Sequence, residues 1–147
     1  MLLALLLACR CTAPEGPQEA TFPTPALREV GGRFRGEPDA PLDPKVAFTL
    51  QSRCPQIERA RLRKANDAIA EVTVRGARLD AVTRIGAALP DGTLANVQFI
   101  REDGALVFPV ACAACEVYLG VKADDRTVAC IGPGYSLTVL NGRIVVE

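Results

Sequence analysis

The second half of the chain predicts an all-β domain made of antiparallel strands. Turn signals recur there at short intervals, and apolar residues alternate with polar residues on both sides of each turn. The two-residue turns are Asp103-Gly104, Ala113-Ala114, Asp124-Asp125 and Asn141-Gly142. A strand that alternates in this way has one apolar face, which must be buried against another layer. The pattern therefore predicts two sheets that pack face to face.

Each turn sets a register for the two strands that it joins, and the resulting pairs match in character. The predicted pairs are Phe99–Phe108 and Val97–Val110 at the first turn, Cys112–Cys115 and Val110–Val117 at the second, Val121–Val128 and Leu119–Cys130 at the third, and Val139–Ile144 and Leu137–Val146 at the fourth. A shift of one residue at any turn would move these side chains to the solvent face. The four registers are consistent with one apolar face.

The segment from Pro55 to Val72 has two interpretations, and the sequence leaves the choice open. The residues that would share one face of a helix are Leu62, Ala65, Ile69 and Val72. Pro55 suits the first position of such a helix. A hairpin with a two-residue turn at Asn66-Asp67 would instead place Leu62 opposite Glu71, which is a poor pair. Local physics therefore favours one short helix at the start of the domain.

Three short motifs around this segment resemble the opening of immunoglobulin-like IPT/TIG domains. They are Pro55-Gln56-Ile57, the stretch Val72 to Leu79, and Val82-Thr83-Arg84-Ile85. The resemblance extends over about Pro55 to Val121, and it implies an immunoglobulin-like β-sandwich in which Ile57 to Leu62 is a strand rather than a helix. The chain departs from the family's pattern in three places: a charged stretch at Arg59 to Ala70, four added cysteines, and extra strands from Thr127 to Glu147.

The N-terminus has the pattern of an exported lipoprotein. Met1 to Ala8 is an apolar run of eight residues, too short for a bilayer core of about 30 Å but suitable for a signal peptide. Leu6-Leu7-Ala8-Cys9 resembles the lipobox of bacterial lipoproteins, which implies cleavage of residues 1–8, a lipid on Cys9 and anchorage to an envelope membrane. Because no basic residue precedes the run, we expect the true start to lie upstream. Arg10 in place of aspartate favours the outer membrane.

Proline enrichment separates this N-terminus from the folded part. The prolines are Pro14, Pro17, Pro23, Pro25, Pro38, Pro41 and Pro44. Each removes a backbone donor and disfavours helix in the residue before it. Residues 9–45 are therefore predicted to be a flexible, disordered tether, with room for a short strand near Leu27 to Phe34. The folded domain is predicted to span residues 46–147.

The cysteines predict structural disulfides in an oxidising compartment. The register at Ala113-Ala114 brings Cys112 opposite Cys115, which leaves Cys54 for Cys130 and Cys11 unpaired or intermolecular. The expected bonds are therefore Cys112–Cys115 and Cys54–Cys130, although four cysteines allow three pairings. A bond that closes the long loop from Cys54 would stabilise by roughly 4–5 kcal/mol in the chain-entropy model.

The spacing Cys112-Ala113-Ala114-Cys115 is also that of a thiol–disulfide active site. Such sites place the first cysteine at a helix N-terminus, which lowers the thiol pKa. Here an alternating strand follows, and Glu116 would raise the pKa. A membrane-tethered periplasmic thiol–disulfide oxidoreductase using Cys112 and Cys115 is therefore the alternative function and not the leading one.

No pattern in the chain supplies a catalytic constellation. Histidine is absent, which removes Ser-His-Asp and Cys-His systems and histidine-ligated zinc. The formal net charge is zero, so nothing indicates a nucleic-acid partner, and no cofactor or metal is expected. The sequence predicts a non-enzymatic envelope lipoprotein that presents an immunoglobulin-like binding or structural module, with an unknown envelope protein or glycan as its partner. The basic residues within 59–64 are interpreted as a solvated face, the alternative being a site for an anionic ligand or a lipid headgroup.

Overall fold

Twelve strands and one helix make up the computed structural model, which describes residues 11, 16–22 and 29–146. In chain order they are β1 (Gln18–Thr21), β2 (Glu29–Arg33), α1 (Pro44–Gln51), β3 (Gln56–Lys64), β4 (Ile69–Ala77), β5 (Val82–Ala88), β6 (Leu94–Val97), β7 (Ile100–Glu102), β8 (Ala105–Ala111), β9 (Ala114–Ala123), β10 (Arg126–Ile131), β11 (Ser136–Leu140) and β12 (Arg143–Val145). A 3₁₀ turn at Leu79–Ala81 precedes β5. Within these residues no helix is long and apolar enough to cross a membrane.

The strands form two antiparallel sheets that pack as a β-sandwich, which confirms the predicted all-β class. One sheet has five strands in the order β1-β3-β4-β8-β7. The other has seven strands and is centred on β9, whose first edge pairs with β5 and through it with β6. On its second edge, the first half of β9 pairs with β11 and the second half of β9 pairs with β10. Strands β12 and β2 complete this sheet beyond β11 and β10.

The core lies between the sheets and is built from residues that alternate along the strands. The side chains there that are at most 1% exposed include Val72, Val74, Leu106 and Phe108 from the five-stranded sheet and Ile85, Val117, Leu119 and Val139 from the seven-stranded sheet. Full burial of such a side chain contributes roughly 1.5–3 kcal/mol. No polar or charged residue of the described chain is buried with them. The hydrophobic effect therefore holds the two layers together.

The segment from 55 to 72 forms a hairpin and not a helix. Strand β3 contains the stretch Ile57 to Leu62 that the family resemblance implied as a strand. The turn has three residues, Asn66 to Ala68, because Ala65 N–H donates to Ile69 C=O. The extra turn residue shifts the register by one and places Leu62 opposite Val72. The poor pairing that favoured a helix came from assuming a two-residue turn.

The helix of the domain lies earlier, at α1. Asp43 caps its N-terminus, with a carboxylate oxygen that accepts from Lys45 N–H at 2.8 Å, and Pro44 occupies the first helical position. Leu50 of α1 is buried in a small cluster with Cys54, Cys130 and other apolar residues at one end of the sandwich. The helix therefore covers the end of the core rather than a sheet face.

Three of the four predicted turns have the predicted register. Val121 pairs with Val128, and Val139 pairs with Ile144. At Asp103-Gly104, Ile100 of β7 pairs with Val107 of β8, which is the predicted register. The pair Val97–Val110 is wrong, because Val97 lies in β6 of the other sheet and pairs with Ile85.

The prediction for the turn at Ala113-Ala114 is wrong. Strand β8 pairs with β4 and β7 in the five-stranded sheet, whereas β9 is the centre of the seven-stranded sheet. The chain therefore crosses between sheets at residues 112–113, and Cys115 pairs with Val139 instead of Cys112. Both strands alternate, but they face the same core from opposite sides.

The tether prediction is also wrong for the described parts of residues 9–45, and the domain starts before residue 46. Strand β1 pairs with β3, and β2 pairs with β10. Both strands lie at sheet edges, where an edge strand tolerates nearby proline because only one side needs donors. Phe34, which follows β2, is fully buried. The predicted signal peptide 1–8 and Cys9 lie outside the described residues.

Candidate functional site

The structure joins Cys54 to Cys130, as expected from the sequence, with a Cα–Cα separation of 6.0 Å. Cys54 follows α1, and Cys130 lies in β10 with its side chain in the same cluster as Leu50. Both cysteines are at most 1% exposed. This bond ties the helix end of the sandwich to the seven-stranded sheet.

The second disulfide joins Cys11 to Cys112, with a Cα–Cα separation of 5.3 Å, in place of the expected Cys112–Cys115 bond. The two N–H groups of these cysteines donate to neighbouring carbonyls of the β3–β4 turn, Cys11 to Asp67 at 2.7 Å and Cys112 to Ala68 at 2.8 Å. Cys11 is 3% exposed. The predicted tether is therefore covalently bound to the domain at its first described residue.

Cys115 has no disulfide partner within the described chain and is partly buried at the start of β9. Burial raises the pKa of the Cys115 thiol and is the largest cause; a hydrogen bond with the Ala111 backbone opposes this, and the charge of Glu116 adds to it. A raised pKa leaves the thiol protonated and weakly nucleophilic at neutral pH. Among the described residues there is therefore neither a Cys112–Cys115 disulfide nor an activated thiol that an oxidoreductase would use.

The outer face of the five-stranded sheet carries a second group of candidate residues, which we call the arginine face. In β3 and β4 the buried residues alternate with outward ones, so that Arg59 and Arg61 point away from the core on β3 and Thr73 and Arg75 on β4. Pairing with β1 adds two more residues. The arginine face consists of Glu19, Thr21, Arg59, Arg61, Thr73 and Arg75 around a shallow depression of about 220 Å³.

Two cross-strand rows order these side chains. One row runs Thr21–Arg59–Arg75, and the next runs Glu19–Arg61–Thr73. Directly opposed side chains in a sheet have Cβ atoms about 4.5–5.5 Å apart, and like charges at that spacing destabilise the sheet. The arrangement of Arg59 opposite Arg75 is therefore unfavourable for the folded state and favourable for an anion placed between them.

The remaining polar contacts leave much of this charge uncompensated. Arg75 Nη1 donates to the Asp103 carbonyl oxygen at 3.1 Å. Within the described chain, Arg59 and Arg61 make no ion pair and no side-chain hydrogen bond. Glu19 belongs to the face, and Glu58 is exposed beside it. Three guanidinium groups thus converge on one depression that is lined by a single carboxylate.

A β-bulge immediately precedes Arg59 in β3. The ladder between β3 and β4 shifts at Glu58, so that Ile57 opposes Gly76 while Arg59 opposes Arg75. A Cβ on Gly76 would lie 1.9 Å from the Gln56 carbonyl oxygen, so this position requires glycine. Arg59 keeps the register that the β3–β4 turn sets for the rest of the hairpin, and the bulge offsets only Gln56 and Ile57 before it.

An apolar groove adjoins the arginine face on the same sheet. It is lined by Ile69, Phe99, Ile100, Val107 and Pro109, among others, and has a volume of about 330 Å³. Ile100 is 61% exposed and Ile69 39% exposed, values that are high for large apolar side chains. Pro109 lies in β8 beyond the last residue that pairs with β7, where an edge position tolerates the missing donor. The outer face is therefore mainly basic on one half and mainly apolar on the other, although Glu71, which is ion-paired with Arg63 at 3.6 Å, and Gln98 also line the groove.

From the sequence, this basic stretch was interpreted as a solvated face, with a helix favoured; the structure places it on strand β3. The strand signal was present, because Arg59-Ala60-Arg61-Leu62-Arg63 alternates strictly. Residues Thr21 and Arg75 could not be assigned to the same face, since that required the pairing of β1 and β4 with β3. Among the described residues no group of three or more His, Cys, Asp or Glu side chains could hold a metal ion.

No family model matches this chain, and no curated protein matches it. Solved structures that are similar include the NEAT5 domain of IsdX2, a B. anthracis hemophore in complex with heme, at 13% identity and a TM-score of 0.38 over 82% of this chain and 98% of that chain. A mutant of the IsdX2 NEAT5 domain in complex with heme is similar at 12% identity and a TM-score of 0.40 over 84% of this chain and 96% of that chain. These likenesses assign no ligand to this chain.

Proposed function

We propose that this chain is a non-enzymatic, membrane-anchored lipoprotein of a bacterial cell envelope, and that its immunoglobulin-like domain is a binding module. The observation that carries the proposal is the Cys11–Cys112 disulfide. It attaches the chain to the domain two residues after Cys9, the residue that the lipobox resemblance implies as the lipid carrier. A lipid on Cys9 would hold the domain directly at the membrane, with Arg10 as the only residue between.

The disulfides support the compartment. Bonds such as Cys11–Cys112 and Cys54–Cys130 form and persist in oxidising environments, including the bacterial periplasm and the cell surface. Export through a lipoprotein signal delivers a chain to that environment. Arg10 after the cysteine favours the outer membrane over retention in the inner membrane.

The chemistry of the arginine face supports binding and not catalysis. Arginine side chains donate hydrogen bonds and stay charged over the physiological pH range, so they recognise anions but do not exchange protons with a substrate. Thr21 and Thr73 add hydroxyl groups at the same depression. The face therefore suits the recognition of an anionic partner.

Metabolic labelling with palmitate tests the anchor. We expect the Cys9→Ser variant to lose the label and to leave the membrane fraction, because the thioether that carries the lipid cannot form. Cys115→Ser is the matched control, since it also removes one thiol from a residue outside both disulfides. Retention of the label in Cys9→Ser would refute the lipoprotein proposal.

Nonreducing peptide mapping of the purified protein tests the disulfide on which the proposal depends. We expect one peptide pair that joins Cys11 to Cys112, another that joins Cys54 to Cys130, and Cys115 recovered as the alkylated thiol. A Cys112–Cys115 bond would release the N-terminal segment from the domain. The lipid anchor would then have no covalent link to the folded domain near Cys9, and the thiol–disulfide oxidoreductase would again be a candidate function.

A further inference from the structure

We propose that the outer face of the five-stranded sheet, comprising the arginine face and the apolar groove, is a docking surface for an anionic phospholipid bilayer. This inference deepens the proposed function and relies on it for the source of the lipid, because an anchored domain lies next to a membrane. Its evidence comes from three features of the sheet: charge, apolar exposure and the point where the chain enters.

The charge of the arginine face fits phosphate groups. Arg59 and Arg75 oppose each other across β3 and β4, and Arg61 lies one row along on β3. Guanidinium groups bind phosphate oxygens in pairs and are weakly hydrated, so they suit a lipid headgroup layer. Opposed arginines that destabilise the free protein gain from an anion that lies between them.

The apolar groove distinguishes a bilayer from a soluble anion. The row that contains Glu19, Arg61 and Thr73 continues across the sheet to Val107 and Ile100. One continuous row thus runs from charged to apolar side chains on the outer face. A bilayer surface offers phosphates and the acyl boundary side by side, whereas a free phosphate or a polar glycan would leave Ile100 and Ile69 in water.

The chain enters the domain at the same sheet. Cys11 N–H donates to Asp67 C=O in the turn that joins β3 and β4, the strands that carry the arginines. Ile69 of the apolar groove is the first residue of β4, two positions after Asp67. Residues 1–10, with the apolar run and the predicted lipidation site, therefore connect to the domain at the end of the proposed docking surface.

Vesicle cosedimentation tests the inference on residues 9–147 carrying Cys9→Ser, a chain that keeps every described residue and no lipid. The probes are vesicles of phosphatidylcholine alone and vesicles with an equimolar share of phosphatidylglycerol. We expect binding to the anionic vesicles, with weaker binding as salt screens the charges. The triple variant Arg59→Gln/Arg61→Gln/Arg75→Gln should weaken it on the order of a hundredfold, and Ile100→Ser should weaken it several-fold.

The control is Lys45→Gln/Arg53→Gln/Lys122→Gln, which removes the same net charge from exposed positions around α1, next to the exposed Phe48. We expect this control to retain binding to the anionic vesicles. Equal losses in both triple variants, equal binding to both kinds of vesicle, or no binding would overturn the inference. Displacement by inorganic phosphate at constant ionic strength would assign the depression to a free anion and overturn it as well.

The failure of this inference is distinguishable from the failure of the proposed function. Palmitate labelling reports on Cys9 alone and does not depend on Arg59, Arg61 or Arg75. Vesicle binding by the unlipidated chain reports on the sheet face alone. If the protein is labelled with palmitate but its unlipidated form does not bind anionic vesicles, the lipid anchor is supported and the docking surface is ruled out.

Discussion

The outer faces of the two sheets differ in what covers them. The seven-stranded sheet is partly covered by the chain itself, through residues 34–43, which we call the strap. Phe34 of the strap is fully buried in a slot where Gly86, Gly120 and Ala129 leave room for its ring. Among the described residues, none covers the outer face of the five-stranded sheet in this way, and Ile100 there is 61% exposed.

Polar contacts hold the strap over its sheet. The Arg84 guanidinium lies 4.7 Å from the centre of the Phe34 ring, and its Nη1 donates to Glu37 Oε1 at 3.1 Å. Arg126 Nη1 donates to the Ala40 carbonyl oxygen at 2.6 Å. On this sheet the charged side chains bind the chain's own cover, whereas on the arginine face Arg59 has no counterpart among the described residues.

The residue types on an outer face indicate whether the chain covers that face or leaves it exposed. Small residues occur where the chain supplies its own aromatic cover, because a Cβ on Gly120 would lie 2.5 Å from Phe34 Cζ. Long basic and branched apolar residues occur where the sheet is bare. Exposed apolar surface rimmed by polar residues marks an interaction site. We infer that one face closes the fold and the other meets a partner.

Removal of the Phe34 ring should have the largest effect on the stability of the fold. We expect Phe34→Ala to lower the free energy of unfolding by about 3–5 kcal/mol, because it leaves a cavity in a fully buried slot. Ile100→Ala on the bare face should change it by less than about 0.5 kcal/mol. Guanidinium unfolding measures both. Similar losses in the two variants would mean that both faces serve stability.

A smaller loss of stability should follow when a methyl group is added to the sheet beneath the Phe34 ring. We expect Gly120→Ala to destabilise by about 1–3 kcal/mol, since the added methyl overlaps the Phe34 ring. The control is Gly16→Ala, whose added Cβ meets nothing within 4 Å. In a double-mutant cycle, Phe34→Ala should relieve most of the Gly120→Ala penalty. An additive double mutant would show that the two residues are not in contact.

The smallest expected change in the free energy of unfolding is at the arginine face, and there the change is an increase. We expect Arg59→Thr to raise the free energy of unfolding by roughly 0.2–1 kcal/mol, because it removes the like-charge pair with Arg75 and threonine suits a strand. Arg61→Thr is the matched control, since Arg61 opposes Glu19 and Thr73 and should gain nothing. Destabilisation by Arg59→Thr would indicate that this arginine serves the fold.

Local pattern explains which parts of the fold were predictable from the sequence. Alternation and turn residues identified the all-β class and the registers on both sides of Asp124-Asp125 and Asn141-Gly142. Those hairpins are closed by Asp124 and Asn141 with positive φ, a conformation that these residue types tolerate. The Cys54–Cys130 bond was predictable because Cys130 belongs to a strand whose inward face was known.

What was not predictable depends on contacts between residues distant in sequence. The burial of Phe34 depends on Gly86, Gly120 and Ala129, which come together only in the folded sheet. Alternation could not tell that β8 and β9 face the core from opposite sheets, so Cys112 was paired with Cys115 rather than Cys11. The arginine face was missed for the same reason, because its rows need the register of β1, β3 and β4.

Single-tryptophan fluorescence tests the central contrast most directly, because the chain has no tryptophan. Ile100→Trp places the probe on the bare face of the five-stranded sheet. Leu140→Trp places it on the seven-stranded sheet, where Leu140 is exposed to a similar degree, 56% against 61%. With anionic vesicles we predict a blue shift, and quenching by brominated lipid, for Ile100→Trp alone. An equal response at both positions, or a response at Leu140→Trp alone, would contradict the account.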